Sequence, residues 1–264
     1  MNSNPFDEKK VPKYWIVCPF IGEIIQAGKY RFIPMKTPLG AKWCPALYPK
    51  HQFTPEQAAI EASKRGKRLR YIFSFPNTKD RWARYDEADL DVNVNGEQYS
   101  ITQFHYRTPR EGPNQEIFEE FVNQLHSLEL EDDEVVGIHC THGFNRTGYI
   151  IVRYLVDEMH LDLVDALQTF RDHRSPGIYK KDYIQNLFDF YGLDNVWNTP
   201  EGTKQSWTFP DPDSLPHFVV TKPIKLDTND APVVGKPVSP HINTKLKYEM
   251  MRMCKKDVRN KQFP

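Results

Sequence analysis

The spacing of apolar residues predicts an alternation of short strands and amphipathic helices. Apolar residues recur at helical spacing in five stretches, which span residues 54–66, 114–128, 149–159, 162–173 and 181–191. Apolar runs typical of buried strands occupy residues 71–73, 101–104 and 135–138. Strands that alternate with helices favour an α/β fold, in which helices flank a mostly parallel central sheet. In such a sheet, reactive loops follow the carboxyl ends of the strands.

The composition of the chain changes near residue 198. From there, prolines recur among Asp, Thr, Ser and Lys, at positions 200, 210, 212, 216, 223, 232, 237, 240 and 264. Such a segment buries too little apolar surface to offset its ordering entropy. We therefore predict that residues 198–264 form a disordered linker or tail, in which only Lys245 to Arg252 indicates a short basic helix. Residues 1–12 are polar and predicted to be flexible, which leaves residues 13–197 as one domain.

Composition and charge exclude several classes of protein. With 39% hydrophobic residues, the 264-residue chain can bury one sizeable core. Its formal net charge is +0, so any affinity for nucleic acid has to come from a local basic surface. The chain has no long apolar run and no apolar leader, which predicts a soluble, intracellular protein without a membrane partner. The basic group KRGKRLR at 64–70 is either a nuclear-import signal or a helix end followed by a strand start.

The cysteines indicate a reducing compartment. Their positions, far apart in the sequence, fit neither a disulfide framework nor a set of zinc ligands. The four residues are Cys18, Cys44, Cys140 and Cys254.

The segment HCTHGFNRTG, from His139 to Gly148, carries the candidate chemistry. It lies between the apolar run at 135–138 and a predicted helix, so it predicts a strand, a tight loop and a helix in that order. The backbone N–H groups of such a loop and the helix dipole form a nest for a tetrahedral oxyanion. The same field favours the thiolate of Cys140, the nucleophilic form of the side chain. Five residues further on, Arg146 offers a planar guanidinium that can hold two phosphoryl oxygens.

The neighbouring residues have supporting roles in this interpretation. The Thr147 hydroxyl would stabilise the thiolate as it leaves a phosphocysteine, and His139 would orient the loop through its ring nitrogens. The bound phosphate would contact the rest of the segment, namely Thr141, His142, Gly143, Phe144, Asn145 and Gly148. The alternative is an ordinary buried cysteine, because free cysteines are often buried. The spacing, the two glycines, the hydroxyl and the strand-to-helix context together favour catalysis.

Five segments of the chain form a more specific pattern. They are VVGIHCTHGFNRTGYIIVRYLV (135–156), RSPGIYKKDYIQNLF (174–188), FIPMKTPL (32–39), YWIVCP (14–19) and the Asn77-Thr78 pair before Arg81. In combination and in this chain's order they resemble the RNA 5′-triphosphatase domain of animal-type mRNA capping enzymes, a branch of the cysteine phosphatase superfamily. A free-standing RNA 5′-phosphatase and baculoviral proteins belong to the same branch.

The resemblance implies a dual-specificity-like cysteine phosphatase fold that needs no metal or other cofactor. It implies that the substrate is 5′-triphosphate RNA, whose γ-phosphate is hydrolysed through a phosphocysteine as the first step of mRNA capping. The RNA polymerase II machinery would be a partner and the nucleus the location. Arg174 and Lys180 would supply positive charge near the pocket mouth. In the family a proline-rich linker leads to a guanylyltransferase domain, but the KxDG motif of that domain does not occur in these residues.

One departure from the family concerns the general acid. Where the family has Asp-Leu-Thr-Asn-Thr, residues 74–78 read SFPNT, and the aspartate is missing. In the loop at 105–114, where protein phosphatases carry the acid, Glu111 is the only carboxyl. A phosphoanhydride expels a phosphate oxygen of pKa about 6, against about 10 for a tyrosine phenolate, so its leaving group does not need a proton. The departure favours phosphoanhydrides over phosphoproteins, unless Glu111 acts as the acid.

Two other functions stay open from the sequence. A dual-specificity phosphatase for protein or lipid would use the same loop, although the loop interior has no lysine for the extra phosphates of an inositol lipid. A non-catalytic RNA-binding or adaptor protein would tolerate the altered 74–82 segment, but the intact Cys140 and Arg146 argue against it.

Overall fold

The computed structural model describes residues 15–77, 85–109 and 111–197. The predictions for residues 1–12, for Arg81 and for the tail at 198–264 lie outside the described residues. Within the described part, no helix is both long and apolar enough to cross a membrane.

Strands and helices alternate along the described chain. The strands are β1 (Ile25–Ala27), β2 (Tyr30–Met35), β3 (Arg68–Ser74), β4 (Asp91–Val94), β5 (Glu97–Ser100), β6 (Thr102–His105) and β7 (Glu134–His139). The α-helices are α1 (Pro55–Ser63), α2 (Gln115–His126), α3 (Asn145–Asp157), α4 (Leu163–His173) and α5 (Lys181–Tyr191). Short 3₁₀ turns connect some of these elements.

The central sheet has five strands in the order β1-β2-β7-β3-β6. Only β1 is antiparallel to its neighbour, and the other pairs are parallel. The predicted α/β fold with a mostly parallel sheet is confirmed. Strand β7 lies in the middle of this sheet, so the loop that follows it is supported on both sides. Strands β4 and β5 form a separate antiparallel hairpin that turns at Asn95 and Gly96, both with positive φ.

Two apolar cores cover the two faces of the sheet. Neighbouring strand residues point to opposite faces, so Phe32 belongs to one core and Ile33 to the other. Helices α2 to α5 pack on the Phe32 face, and α1 with the β4–β5 hairpin packs on the Ile33 face. The sheet is thus enclosed between two layers, as the continuous apolar run at 135–138 predicted.

The five predicted helices are present, and side-chain caps begin two of them, α1 and α2. The Thr54 hydroxyl accepts a hydrogen bond from the Gln57 N–H, and the Asn114 carboxamide accepts one from the Ile117 N–H. Helix α3 begins four residues earlier than the predicted residue 149, because the end of the candidate loop already has helical geometry. Helix α1 ends at Ser63 and β3 begins at Arg68, so the basic group at 64–70 spans a helix end and a strand start.

Candidate active site

The candidate loop, residues 140–144, joins the central strand β7 to the first turn of α3. Gly143 has φ +78°, and a Cβ at this position would overlap the carbonyl oxygen of Met35 at the end of β2. The segment after β2 holds the loop as well, since the Thr37 N–H donates to the Thr141 carbonyl at 3.1 Å. Only glycine fits at Gly143, because the loop curls directly against β2.

Cys140 lies at the base of this loop with 6% of its surface exposed. Burial alone would raise the pKa of its thiol. The charge of Arg146, the hydroxyl and N–H of Thr147 and the N–H of Gly143 act in the opposite direction and hold the pKa below its ordinary value. The buried Thr147 hydroxyl has no nitrogen or oxygen partner within the described part of the chain, so the Cys140 sulfur can take its hydrogen bond. The loop therefore favours a thiolate.

Arg146 is oriented by a tyrosine that the motif does not contain. Tyr183, from α5, forms a side-chain hydrogen bond with the Arg146 guanidinium. Burial raises the pKa of Tyr183 to about 12, so its hydroxyl stays neutral and can accept from the guanidinium. The charge of Arg146 lowers the pKa of the Cys140 thiol, so the two groups lie close enough to interact. A thiolate and a guanidinium in proximity suit an attacked phosphoryl group.

Both ring nitrogens of His139 are hydrogen-bonded. Its Nδ1 lies 3.0 Å from the Cys140 carbonyl oxygen, and its Nε2 lies 2.8 Å from the Tyr85 hydroxyl. A carbonyl oxygen only accepts, so in the neutral ring Nδ1 carries the proton and Nε2 accepts from Tyr85. Gln103 then donates to the same hydroxyl at 2.8 Å. This chain of contacts supports the interpretation of His139 as an orienting residue; Tyr85 and Gln103 were not identified from the sequence.

Comparison with known families identifies the fold. Residues 53–192, more than half of the chain, match the family described as "Dual specificity phosphatase, catalytic domain". The chain belongs to the dual-specificity phosphatase family. The match includes the whole candidate loop, so Cys140 and Arg146 lie within the catalytic domain of this phosphatase.

The phosphatase is also similar to proteins named for RNA. It is 32% identical to an mRNA-capping enzyme of Mus musculus over 76% of this chain and 32% of that protein. It is 34% identical to an mRNA-capping enzyme of Danio rerio over 69% of this chain and 29% of that one. It is 31% identical to the RNA/RNP complex-1-interacting phosphatase of Rattus norvegicus over 68% of this chain and 53% of that protein. The chain spans about a third of the length of these capping enzymes and about half of the rat phosphatase.

Arg174 does not lie at the pocket mouth, and this prediction is wrong. The residue is 2% exposed, and its guanidinium donates to three backbone carbonyls, those of Pro19 (2.9 Å), His142 (3.1 Å) and Gly143 (3.3 Å). It also lies 4.6 Å from the centroid of the Phe144 ring. Burial lowers the pKa of Arg174 to about 10, so it is still charged at neutral pH. The side chain supports the loop from behind, where a substrate has no access.

Two further motif residues face the protein instead of the pocket. The Asn145 side-chain oxygen accepts from the N–H groups of Tyr179 and Lys180, at 3.1 and 3.0 Å. A Cβ at Gly148 would lie 2.5 Å from the Phe170 ring, so this glycine permits packing of α3 on α4. Asn145 and Gly148 were predicted to contact substrate, and the structure places both in contacts that hold the loop. Phe144 is fully buried, with its ring 6.0 Å from that of Tyr179.

The remaining predicted substrate residues lie at the open side of the loop. Thr141 and His142 are partly exposed, and so is Lys180, whose Nζ lies 5.2 Å from the Tyr183 ring centroid. Tyr183 thus contacts both Lys180 and Arg146, so these two basic residues lie near each other in the structure. Glu111 is exposed, and the next residue, Gly112, lies against the same Tyr183 ring, where a Cβ would be 3.3 Å from it.

A buried lysine behind the loop was not assigned a role from the sequence. Lys36 is fully buried, and its Nζ donates to the carbonyls of Trp15 (3.0 Å) and Cys18 (3.1 Å). The ammonium also lies 3.7 Å from the centroid of the Trp15 ring. Burial lowers the pKa of Lys36 to about 7. Lys36 ties the N-terminal segment to β2, next to the strand end on which Gly143 packs.

We expect Arg174→Lys to lower the free energy of unfolding by about 1–3 kcal/mol, because lysine cannot reach all three carbonyls and leaves buried acceptors unpaired. Hydrolysis of triphosphate RNA and of a small aryl phosphate should fall by the same factor, since the change loosens the loop common to both reactions. Urea unfolding and kcat/KM on both substrates measure this. Arg171→Lys, three residues earlier in the last turn of α4, is the matched control. A loss of kcat/KM confined to the RNA substrate would contradict this role and would indicate that Arg174 contacts the RNA.

Proposed function

We propose that this phosphatase removes the γ-phosphate from the 5′-triphosphate end of RNA, the first step of mRNA capping, through a phosphocysteine intermediate. The Cys140 thiolate attacks the γ-phosphorus in line, and the bond to the β–γ bridging oxygen breaks. The products of this step are diphosphate-ended RNA and phosphocysteine. Water then cleaves the S–P bond and releases inorganic phosphate.

Different residues of the loop act in these two steps. Arg146 and the loop N–H groups stabilise the charge spread over the equatorial phosphoryl oxygens in the transition state. The Thr147 hydroxyl stabilises the sulfur when it leaves as a thiolate in the second step. His139, Arg174 and Asn145 touch no reacting atom and keep the loop in shape.

The observation that carries the proposal is a thiol of lowered pKa in a dual-specificity phosphatase whose acid loop offers only an exposed glutamate. Expulsion of a phosphate oxygen of pKa about 6 does not need an acid, whereas expulsion of a phenolate is helped by one, typically by 10²–10⁴-fold. The names of the related capping enzymes and RNA/RNP-interacting phosphatases support the same substrate class. The nuclear location and the RNA polymerase II machinery as partner are part of this proposal and rest on the resemblance.

A second candidate function follows from the position of Glu111. Its neighbour Gly112 lies against Tyr183, which contacts Arg146, so the acid loop borders the pocket. If Glu111 turns inward, it can protonate a phenolate or alkoxide, and the enzyme is then a dual-specificity protein phosphatase.

A phosphate-release assay in the presence of EDTA separates these functions. Triphosphate-ended RNA, a phosphotyrosine peptide and a phosphoinositide are compared at equal concentration. We expect release from the RNA to be fastest and to be independent of the chelator. Faster phosphate release from the peptide would establish a protein phosphatase instead. If no substrate released phosphate, the protein would be a non-catalytic binding protein.

We expect Glu111→Gln to change triphosphatase activity only a few-fold, because the anhydride leaving group needs no proton. Steady-state kcat on triphosphate RNA gives the result. A loss of about 10³-fold or more in Glu111→Gln, together with good activity on phosphotyrosine peptide, would contradict the proposal.

We expect Lys180→Ala to raise KM for triphosphate RNA by about 3–10-fold and to reduce its salt dependence by about one charge, because an ammonium near the pocket would hold the outer phosphates or RNA chain. A small monophosphate substrate should be hydrolysed as before. Lys181→Ala, an exposed neighbour, is the control. If both variants raised KM equally, the effect would come from the general surface charge, and a specific role of Lys180 would be contradicted.

A further inference from the structure

A groove lies between α2 and α5 on the Phe32 face of the domain, away from the catalytic loop. It encloses a cavity of about 590 Å³, and its floor is Arg153 of α3. Arg153 follows Arg146 by seven residues, which is about 10 Å along the helix axis. The groove is therefore separate from the phosphate cradle.

The floor of the groove is fixed by a stack of three side chains. The Arg153 guanidinium lies between the rings of Phe118 and Phe190, 4.0 Å from each centroid. It donates to Gln115 and Asp157, both at 2.9 Å. Arg153 is buried, whereas Phe190 has 48% of its surface exposed. A large aromatic ring is thus held rigidly at the groove edge and faces solvent.

The rim of the groove is acidic. Glu119, Asp157 and Glu158 line it, and Arg153 is the only basic lining residue among those the structure describes. Asp157 already accepts from Arg153 and from the Tyr191 hydroxyl. Glu158 lies 3.5 Å from the His126 Nε2. Three carboxylates against one guanidinium among the described lining residues still leave the rim negative, so it repels the phosphates of RNA and attracts a cationic segment that also carries apolar side chains.

A segment of this chain has the matching chemistry. Residues 245–256 (KLKYEMMRMCKK) contain five basic residues and one glutamate. At helical spacing, Leu246, Met250 and Met253 fall on one side. Methionine is flexible and makes favourable contacts with aromatic rings such as Phe190. An apolar stripe flanked by basic residues suits a groove with an aromatic edge and an acidic rim.

The segment can reach the groove. The described chain ends at Trp197, six residues after α5, and α5 forms one wall of the groove. The intervening chain can extend over more than about 100 Å, while a domain of this size has a radius of gyration of about 16 Å. Attachment to the same chain gives the segment an effective concentration of the order of millimolar, so even weak contacts fill the groove.

We propose that residues 245–256 dock in the groove between α2 and α5, with the apolar side on Phe190 and the basic side chains on Glu119 and Glu158. Docking there leaves the catalytic loop open and places the C-terminal part of the chain on the helical face of the domain.

The test uses the full chain with a nitroxide on Cys254, in a background with Cys44→Ser and Cys140→Ser. Cys18 is buried, and burial raises its pKa to about 12, so it does not take the label. The measurement compares NMR amide signal intensities with the nitroxide in its paramagnetic form and in its reduced form. With the paramagnetic form, we expect the signals of Phe118, Glu119 and Phe190 to fall below half of their intensity with the reduced form. Signals from α1, on the opposite face of the sheet, should keep theirs.

Matched variants identify the contact. The triple change Lys245→Glu, Lys247→Glu and Arg252→Glu should abolish the broadening, and Glu119→Lys with Glu158→Lys should restore it in that variant. The control carries the same charge change elsewhere in the tail, at Lys222, Lys225 and Lys236, and should broaden normally. Absence of broadening in the parent chain, or equal loss in the control, would overturn the proposal. Broadening between separately labelled copies would mean that the occupant is a second molecule, which also overturns it.

Discussion

Cys140→Ser is expected to lower phosphate release from triphosphate RNA by roughly 10⁴–10⁶-fold, the range seen when a hydrolase loses its nucleophile. A serine hydroxyl has a far higher pKa than the thiol, and the charge and hydrogen bonds that lower the pKa of Cys140 do not suffice to ionise it. Substitution of one atom leaves the packing around this buried position nearly unchanged, so folding and RNA binding should be retained. Single-turnover phosphate release and an RNA-binding titration measure the two effects.

Cys44→Ser is the matched control for this variant, because Cys44 lies in a 3₁₀ turn outside the loop. It should release phosphate at the parent rate. Substantial residual activity of Cys140→Ser in the presence of magnesium would mean a metal-dependent mechanism and would contradict the assignment of the nucleophile.

Arg146→Lys is expected to lower kcat by about 10²–10³-fold although the positive charge is kept. Lysine offers a point charge on a flexible stem and cannot hold two equatorial oxygens at once. The contact with Tyr183 would also lose its geometry. The pH dependence of Cys140 alkylation by iodoacetamide in Arg146→Ala provides a second measurement, and it should shift to higher pH because this variant loses the positive charge that helps to lower the thiol pKa.

Arg153→Lys is the control for Arg146→Lys, since Arg153 is on the same helix but lies in the groove. Its alkylation profile should match that of the parent. An unchanged profile in Arg146→Ala would show that the loop N–H groups and Thr147 alone set the thiol pKa.

The parts of the site that were predictable are those within one continuous segment. Strand β7, the loop and helix α3 occupy residues 134–157, and the order of apolar and polar residues fixes each of them locally. The cradle needs only backbone N–H groups, a glycine at positive φ and two side chains at fixed spacing. Such a motif can be read from the sequence because its geometry depends on neighbours in the chain. The Asn95-Gly96 turn of the β4–β5 hairpin is likewise a local signal, because Asn-Gly is typical of a two-residue hairpin turn.

The support of the loop depends on residues far apart in the sequence. Arg174 reaches a carbonyl 155 residues away, Tyr85 meets His139 across 54 residues, and Lys36 is enclosed by the N-terminal segment. A sequence pattern treats arginine and lysine as surface residues, because burial of an unpaired charge is costly. That cost is met here only when several backbone carbonyls converge on one side chain.

The sequence by itself therefore determined the strand, loop and helix that place Cys140 and Arg146 together, and the order of strands and helices around them, since these follow from local spacing. Only the tertiary structure decided which polar residues of the motif face the pocket and which hold the loop. Asn145, Gly148 and Arg174 all lie in or near motif segments, yet each contacts protein on the inner side of the loop. The direction of a side chain depends on the packing of elements distant in the chain, and no periodicity within one segment records it.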